Sequence, residues 1–285
     1  MVAAFQVFAA QASINLGAAM AKGLFIALDP AQVAALRTAI SALLLLVVVR
    51  PWRAPVSAAS LGWIAAYGLA LGGMNLLIYE ALARIPIGLA VAIEICGPLM
   101  VVLCASRHWR DLVWLAGAVG GLALLLPWPG RAQALDPLGI GCALGAASCW
   151  ALYILLGRRA SRAGAGAAVS IGMIFACLLT APIALAQGPL SLSAAQGGLL
   201  LLVAVLSSAL PYLLEMHAMS RLPSRLVGLI SSTGPALAAL IGFVVLGERL
   251  TGLQWLAVAL LVGASLGCSL QVKAPVSKLR EEPLV

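Results

Sequence analysis

Three ionisable residues lie inside long apolar stretches of the sequence, where a charge is costly. Glu94 stands in the run Ala-Val-Ala-Ile-Glu-Ile-Cys-Gly-Pro, Glu215 follows Leu-Pro-Tyr-Leu-Leu, and Arg37 lies at least one turn inside another apolar run. An ionisable side chain in such a position is a candidate functional residue. A carboxyl group in a cavity could bind and release a proton, or attract the ammonium group of a substrate. The alternative is structural: Glu94 pairs with Arg37 or hydrogen-bonds to a neighbouring helix.

Polar residues recur at helical spacing in four of the apolar runs. Residues three or four positions apart share one face of a helix. The pairs are Gln11 and Asn15, Asn75 and Tyr79, Trp150 and Tyr153, and Tyr212 and Glu215. Amides and phenols on a cavity wall could hold the carboxylate, hydroxyl or amine of a small zwitterion. Each pair could instead make an interhelical hydrogen bond, worth about 0.6 kcal/mol in a membrane, but four polar faces favour one shared cavity.

The motifs of several enzyme classes and of ATP-driven pumps are missing from the sequence. It contains no HExxH metal motif, no phosphate-binding P-loop and no paired-aspartate motif for diphosphates. The six cysteines lie in apolar runs, without a CxxC or a nearby histidine cluster, so they indicate neither a disulfide framework nor a metal site. We therefore expect a protein that is not an enzyme and that needs no cofactor and no metal.

The composition places these residues in a membrane protein. Hydrophobic residues make up 63% of the chain and charged residues 9%, and the mean hydropathy is +1.10. A soluble domain has about 25% charged residues, so lipid must cover most of the outside of this chain. The net charge of +8 is spread in ones to threes between apolar runs. That distribution is typical of the loops of a membrane protein and not of a nucleic-acid-binding surface.

The apolar runs predict ten transmembrane helices, each of about the 20 residues that cross a bilayer. They cover residues 3–24, 31–49, 60–82, 87–105, 111–127, 137–157, 166–186, 196–220, 224–247 and 251–271. Of the Lys and Arg residues, twelve fall on one set of loops and tails and four on the opposite set, while Arg37 lies within a span. Because cytoplasmic loops carry the excess of positive charge, both termini are predicted to be cytoplasmic.

The two halves of the chain resemble each other at a shift of 137 positions. This shift aligns Arg84-Ile85-Pro86 with Arg221-Leu222-Pro223, and Gly97-Pro98 with Gly234-Pro235. Each half would contain five spans, and because five is odd, the second half would enter the membrane from the opposite face. Inverted repeats of this kind are typical of secondary transporters, whose substrate sites lie near the membrane midplane between the halves.

Glycine and proline interrupt several of the predicted spans. The candidate hinge residues are Gly97, Pro98, Pro211, Gly234 and Pro235. Proline removes a helical hydrogen bond, and at membrane depth the loss is tolerated only inside the protein or beside water. Either a kink for packing or a hinge for gating fits the sequence.

Several segments resemble the EamA type of the drug/metabolite transporter superfamily. The first half carries Gly72-Gly73-Met74-Asn75, Ala92-Ile93-Glu94 and Gly97-Pro98-Leu99, and the second carries Leu210-Pro211-Tyr212 and Leu214-Glu215-Met216. The resemblance implies an all-α membrane protein of ten transmembrane helices in two inverted five-helix repeats. The repeats would occupy 1–129 and 137–271, and a cytoplasmic tail at 272–285 is expected to be disordered.

This resemblance also implies a function: export of small amino acids such as threonine and homoserine across the bacterial inner membrane, by proton antiport and alternating access. Glu94 and Glu215 match glutamates found in related carriers. The expected partners are the amino acid, protons and the lipid bilayer, with no nucleic acid, and the protein would be a monomer or a homodimer. One alternative is a carrier that exports drugs or metabolites with broad specificity. Another is a membrane assembly or lipid-handling protein that transports no solute.

Overall fold

The computed structural model describes residues 2–53, 56–105, 111–125, 135–190, 192–211, 214 and 233–271. Over these residues the secondary structure is helical, with no β-strand. The α-helices in the described ranges are α1 (Val2–Lys22), α2 (Pro30–Val49), α3 (Ala58–Arg84), α4 (Ile87–Glu94), α5 (Cys96–Ala105), α6 (Asp111–Leu125), α7 (Pro137–Ala160), α8 (Ala165–Ala186), α9 (Ala194–Ala204), α10 (Gly234–Leu246) and α11 (Gly252–Gln271). The predicted all-α class is confirmed.

Capping residues determine where several helices begin. The Asp29 side chain accepts the N–H of Ala31, Gln32 completes the capping box, and Pro30 is the first residue of α2. Ser57 caps α3 in the same way. Because the first N–H groups of a helix have no partner within it, these caps start the helices one or two residues before the apolar runs that predicted them.

The outside of the helix bundle is suited to lipid. Within the described ranges, four helices are long and apolar enough to cross a bilayer, with mean hydropathies from 1.6 to 2.2. They are α2, α3, residues Pro137–Gly157 of α7 and residues Gly166–Ala186 of α8. Val47 is 66% exposed and Val244 is 70% exposed on the outer surface. Together with the shorter apolar helices, these features make the chain a multi-pass membrane protein. The predicted spans 111–127, 196–220 and 224–247 extend beyond the described ranges, and the predicted tail at 272–285 lies outside them.

The predicted fourth span is not one helix. It divides into α4 and α5 at Ile95, because Pro98 has no N–H group to donate to the carbonyl of Glu94 four residues earlier. In the second half, Gly234 and Pro235 stand at the start of α10, where a missing N–H costs nothing. The hinge role of these residues stays a prediction.

Helices of the two halves pack closely against one another. Helix α3 packs against α7 and α8, α2 against α8, α4 against α10, and α6 against α11. Small residues permit this approach: a Cβ on Gly68 would collide with the carbonyl oxygen of Gly172 in α8, and one on Gly97 with that of Ala147 in α7. This packing turns the polar faces of α1, α2, α3, α4 and α7 toward the same interior space.

Candidate binding cavity

A cavity of about 150 Å³ lies between the helices of the two halves. Eight of the ten residues predicted to bind substrate or protons line it: Gln11, Asn15, Arg37, Asn75, Tyr79, Glu94, Trp150 and Tyr153. The other two, Tyr212 and Glu215, lie outside the described residues. Apolar side chains complete the wall, including Ile14, Met74 and Ile78.

Arg37 is the buried cation of this cavity. Its Nη1 donates to the carbonyl oxygen of Ser207 at 3.2 Å and to Oγ of Ser208 at 2.7 Å, and its Nη2 donates to Oδ1 of Asn75 at 2.6 Å. The guanidinium carbon lies 4.9 Å from the centre of the Tyr79 ring, within the range of a cation–π interaction. Neutral groups therefore hold the guanidinium in place, and among the described residues no carboxylate pairs with it directly.

Two residues that accept from Arg37, Ser207 and Ser208, lie in an irregular turn after α9. Residues Val205–Ala209 form a π-helical turn, and such turns are often found at functional sites. In an α-helix the carbonyl of Ser207 would accept the N–H of residue 211, but Pro211 has none. The carbonyl is thus free to accept from Arg37. Ser207 and Ser208 were missed by the sequence analysis, although a proline four residues after a serine in an apolar span is a signal for a free carbonyl.

Glu94 is the acidic group of the cavity. It is the last residue of α4, directly before the break at Ile95, and it lies on the cavity wall. Within the described part of the chain its carboxyl group makes no hydrogen bond and no ion pair. Arg37 is near enough to interact with it electrostatically, yet the two make no direct contact. The structural alternative of a Glu94–Arg37 ion pair is therefore not formed.

The remaining polar residues lie on two other walls. Asn15 donates to the carbonyl of Gln11 at 2.8 Å and to that of Gly234 at 3.5 Å, so the amide of α1 contacts the start of α10. Tyr153, on α7, lines the cavity too, and its ring lies 4.7 Å from the ring of Tyr67. In the part of the chain that the structure describes, the cavity thus combines one cation, one carboxyl group without a hydrogen bond, amides and aromatic rings.

Comparison with known proteins gives consistent results. The model of the EamA-like transporter family matches residues 137–270. The threonine/homoserine exporter RhtA of Escherichia coli K12 is 44% identical over 273 residues, which cover 95% of this chain and 92% of the relative. RhtA of Salmonella typhimurium LT2 is 43% identical over 274 residues, covering 93% and 90%. A solved crystal structure with 20% identity covers 94% of this chain and 96% of its own, and its TM-score of 0.61 indicates the same fold.

Proposed function

This chain belongs to the EamA-like transporter family, and from that membership we propose that it exports small amino acids such as threonine and homoserine across the bacterial inner membrane. One observation carries the proposal beyond family membership: a basic group, Arg37, and an acidic group, Glu94, line the same small cavity without a direct ion pair between them. A zwitterionic amino acid carries the complementary pair of charges. The high identity to exporters named for threonine and homoserine supports the substrate class.

The size of the cavity favours a small substrate over a drug. Sites for drug-sized ligands have volumes of about 300–1,000 Å³, whereas this cavity measures about 150 Å³. This observation weighs against a carrier of broad drug specificity. The presence of a polar cavity inside an apolar bundle weighs against a protein with no solute to carry.

The proposed transport mechanism is alternating access, in which two inverted repeats exchange conformations. The packing supports it: α2 contacts α8, α4 contacts α10 and α6 contacts α11, and each pair joins a predicted span to its counterpart five spans later. The same correspondence pairs α1 with α7 and α3 with α9. Replacing each helix by its counterpart therefore turns the contact of α1 with α9 into the contact of α7 with α3, and both contacts are present. Such symmetry would give the inward-open and outward-open states similar energies.

Glu94 is the proposed coupling group. Its carboxylate can hold a proton or face the ammonium group of a substrate, but it cannot do both at once. Competition between the two for one carboxylate would link the exit of an amino acid to the entry of a proton. Glu215, which also stands in an apolar run, is the second candidate for this role.

Transport by the purified protein tests the proposal directly. Proteoliposomes would be loaded with labelled L-threonine, and its release would be followed with and without an imposed proton gradient. We expect release that a proton gradient accelerates, and cells that overproduce the protein should tolerate excess homoserine. Efflux of a cationic dye without threonine release would favour the broad-specificity alternative. A protein that moves neither, and whose thermal stability no solute changes, would favour the lipid-handling or assembly alternative.

A further inference from the structure

Three side chains of the cavity carry polar atoms that have no hydrogen-bond partner among the described residues. They are Nε of Arg37, Nδ2 of Asn75 and the hydroxyl of Tyr79. The three residues are only 4%, 3% and 3% exposed, and all three line the cavity. Buried polar atoms are almost always paired in native proteins, so three unpaired atoms around one cavity call for a common explanation.

The chemistry of these atoms is uniform. Arginine nitrogens only donate. Oδ1 of Asn75 faces the guanidinium, from which it accepts at 2.6 Å, and this contact leaves the amide nitrogen as the free end of the side chain. The Tyr79 hydroxyl can donate as well. The three free atoms therefore offer hydrogens and call for an acceptor.

The donors are also held in fixed positions. Asn75 and Tyr79 are one turn apart on α3, and the Tyr79 ring lies under the guanidinium of Arg37. The rings of Tyr79 and Phe25 make a T-shaped contact, with their centroids 5.9 Å apart. The serines that follow α9 hold Arg37 from its other side. The donors are therefore fixed in orientation. Because each of the three free atoms exposes less than 1 Å² of surface, a ligand reaches them only after a small movement of the cavity wall.

We propose that Arg37, Asn75 and Tyr79 form a subsite for the carboxylate of the substrate. The acceptors that Arg37 has among the described residues are neutral groups, so its charge favours an anion. A carboxylate supplies two oxygens for several donors. An ammonium group has no acceptor to offer and is excluded from this position. The subsite rests on the proposed amino-acid export and deepens it, since it requires a substrate with a free carboxylate and places the ammonium group toward Glu94.

The substrate analogue L-threoninol separates this proposal from export itself. It keeps the ammonium group, the side-chain hydroxyl and the methyl group of threonine, and it replaces the carboxylate with CH2OH. In proteoliposomes that exchange labelled L-threonine, unlabelled L-threonine and L-threoninol would be compared as competitors. We expect threoninol to need a concentration at least about tenfold higher than threonine to halve the exchange.

Tyr79→Phe is the decisive variant because it removes only a hydroxyl that has no hydrogen-bond partner among the described residues. It should keep the thermal stability of the wild type and reduce the preference for threonine over threoninol about three- to tenfold. Tyr67→Phe is the matched control: Tyr67 is on the same helix and is also buried, but it lies outside the set of residues that line the cavity. The Tyr67→Phe protein should prefer threonine over threoninol as strongly as the wild type does.

The outcomes separate the two proposals. If threoninol competes as well as threonine, or if Tyr79→Phe and Tyr67→Phe have the same preference, the carboxylate subsite is wrong and export of threonine still stands. If the wild-type protein neither binds nor exchanges threonine, the proposed function is wrong, and the subsite is wrong with it.

Discussion

Lys22 Nζ donates a hydrogen bond to Oε1 of Glu248 at 2.6 Å and ties the end of α1 to the segment that follows α10. The same ammonium group donates to the carbonyl oxygen of Ile85 at 3.0 Å, and Oε2 of Glu248 accepts the N–H of Ile87 at 2.9 Å. Pro86 has no side chain that could cap α4. Glu248 therefore caps that helix from the other half of the chain, and its carboxylate joins α1, α4 and α10 at one end of the bundle.

Replacement of Glu248 should loosen this end of the bundle. Glu248→Ala removes both hydrogen bonds and leaves Lys22, whose side chain is 23% exposed, without its anion. We expect a loss of about 1–3 kcal/mol. Glu248→Gln should lose less, because its amide oxygen can still accept the N–H of Ile87. Thermal unfolding of the purified protein in one detergent measures both changes.

Arg84→Gln is the control for these variants. Arg84 pairs with Asp136 at 3.3 Å, but the two side chains are 37% and 36% exposed, and solvent screening leaves a pair exposed to that degree with little effect on stability. A midpoint for Arg84→Gln that falls as far as that of Glu248→Ala would show that the Lys22–Glu248 pair has no special structural role.

The residues of the cavity were largely predictable from the sequence. Helical spacing placed Gln11 with Asn15 and Asn75 with Tyr79, and an apolar bundle in lipid turns such faces inward. The partners of Arg37 were less accessible to sequence reasoning. Ser207 is short and weakly polar, and its carbonyl is free only because of the local turn. Lys22 and Glu248 are 226 positions apart and stand near helix ends, where a charge is usually solvated, so only the packing of the two halves could pair them.

Glu94→Gln should uncouple transport from the proton gradient. The amide cannot take up a proton from the carboxyl position, so threonine release should no longer respond to an imposed gradient, and threonine affinity should fall as the negative charge is lost. Release of labelled threonine from proteoliposomes at two values of external pH measures the response. Glu94→Asp should keep part of the response to the proton gradient.

Glu80→Gln is the matched control for Glu94. Glu80 is on α3, its carboxylate lies 3.7 Å from Arg84, and it is not among the residues that line the cavity. Its replacement should leave the gradient response intact. If the Glu94→Gln protein responds to the gradient like the wild type, another residue couples transport to protons. Glu215 is then the first residue to test.

Ser208→Ala should destabilise the protein through Arg37. The Ser208 hydroxyl accepts from Nη1 of Arg37 at 2.7 Å in a fully buried position, and removal of an acceptor from a buried charged donor costs about 1–3 kcal/mol. Ser148→Ala is the control, because Ser148 is exposed and bonds only to the carbonyl of its own helix at Leu144. The two unfolding midpoints should differ by several degrees, and equal midpoints would mean that the other acceptors suffice to hold Arg37.

Gly97→Ala tests whether the Gly-Pro position is a packing contact or a hinge. An added Cβ would collide with the carbonyl oxygen of Ala147, so α5 would have to move away from α7, at a cost of about 1–3 kcal/mol. Gly120→Ala is the control, since a Cβ on Gly120 meets no atom within 4 Å, and it should not lower the unfolding midpoint. If Gly97 is a packing residue, the unfolding midpoint of Gly97→Ala falls while the protein that remains folded exchanges threonine at the normal rate. An unchanged midpoint with slower exchange would contradict the packing interpretation and favour the hinge, because the cost would then arise only when the helix bends.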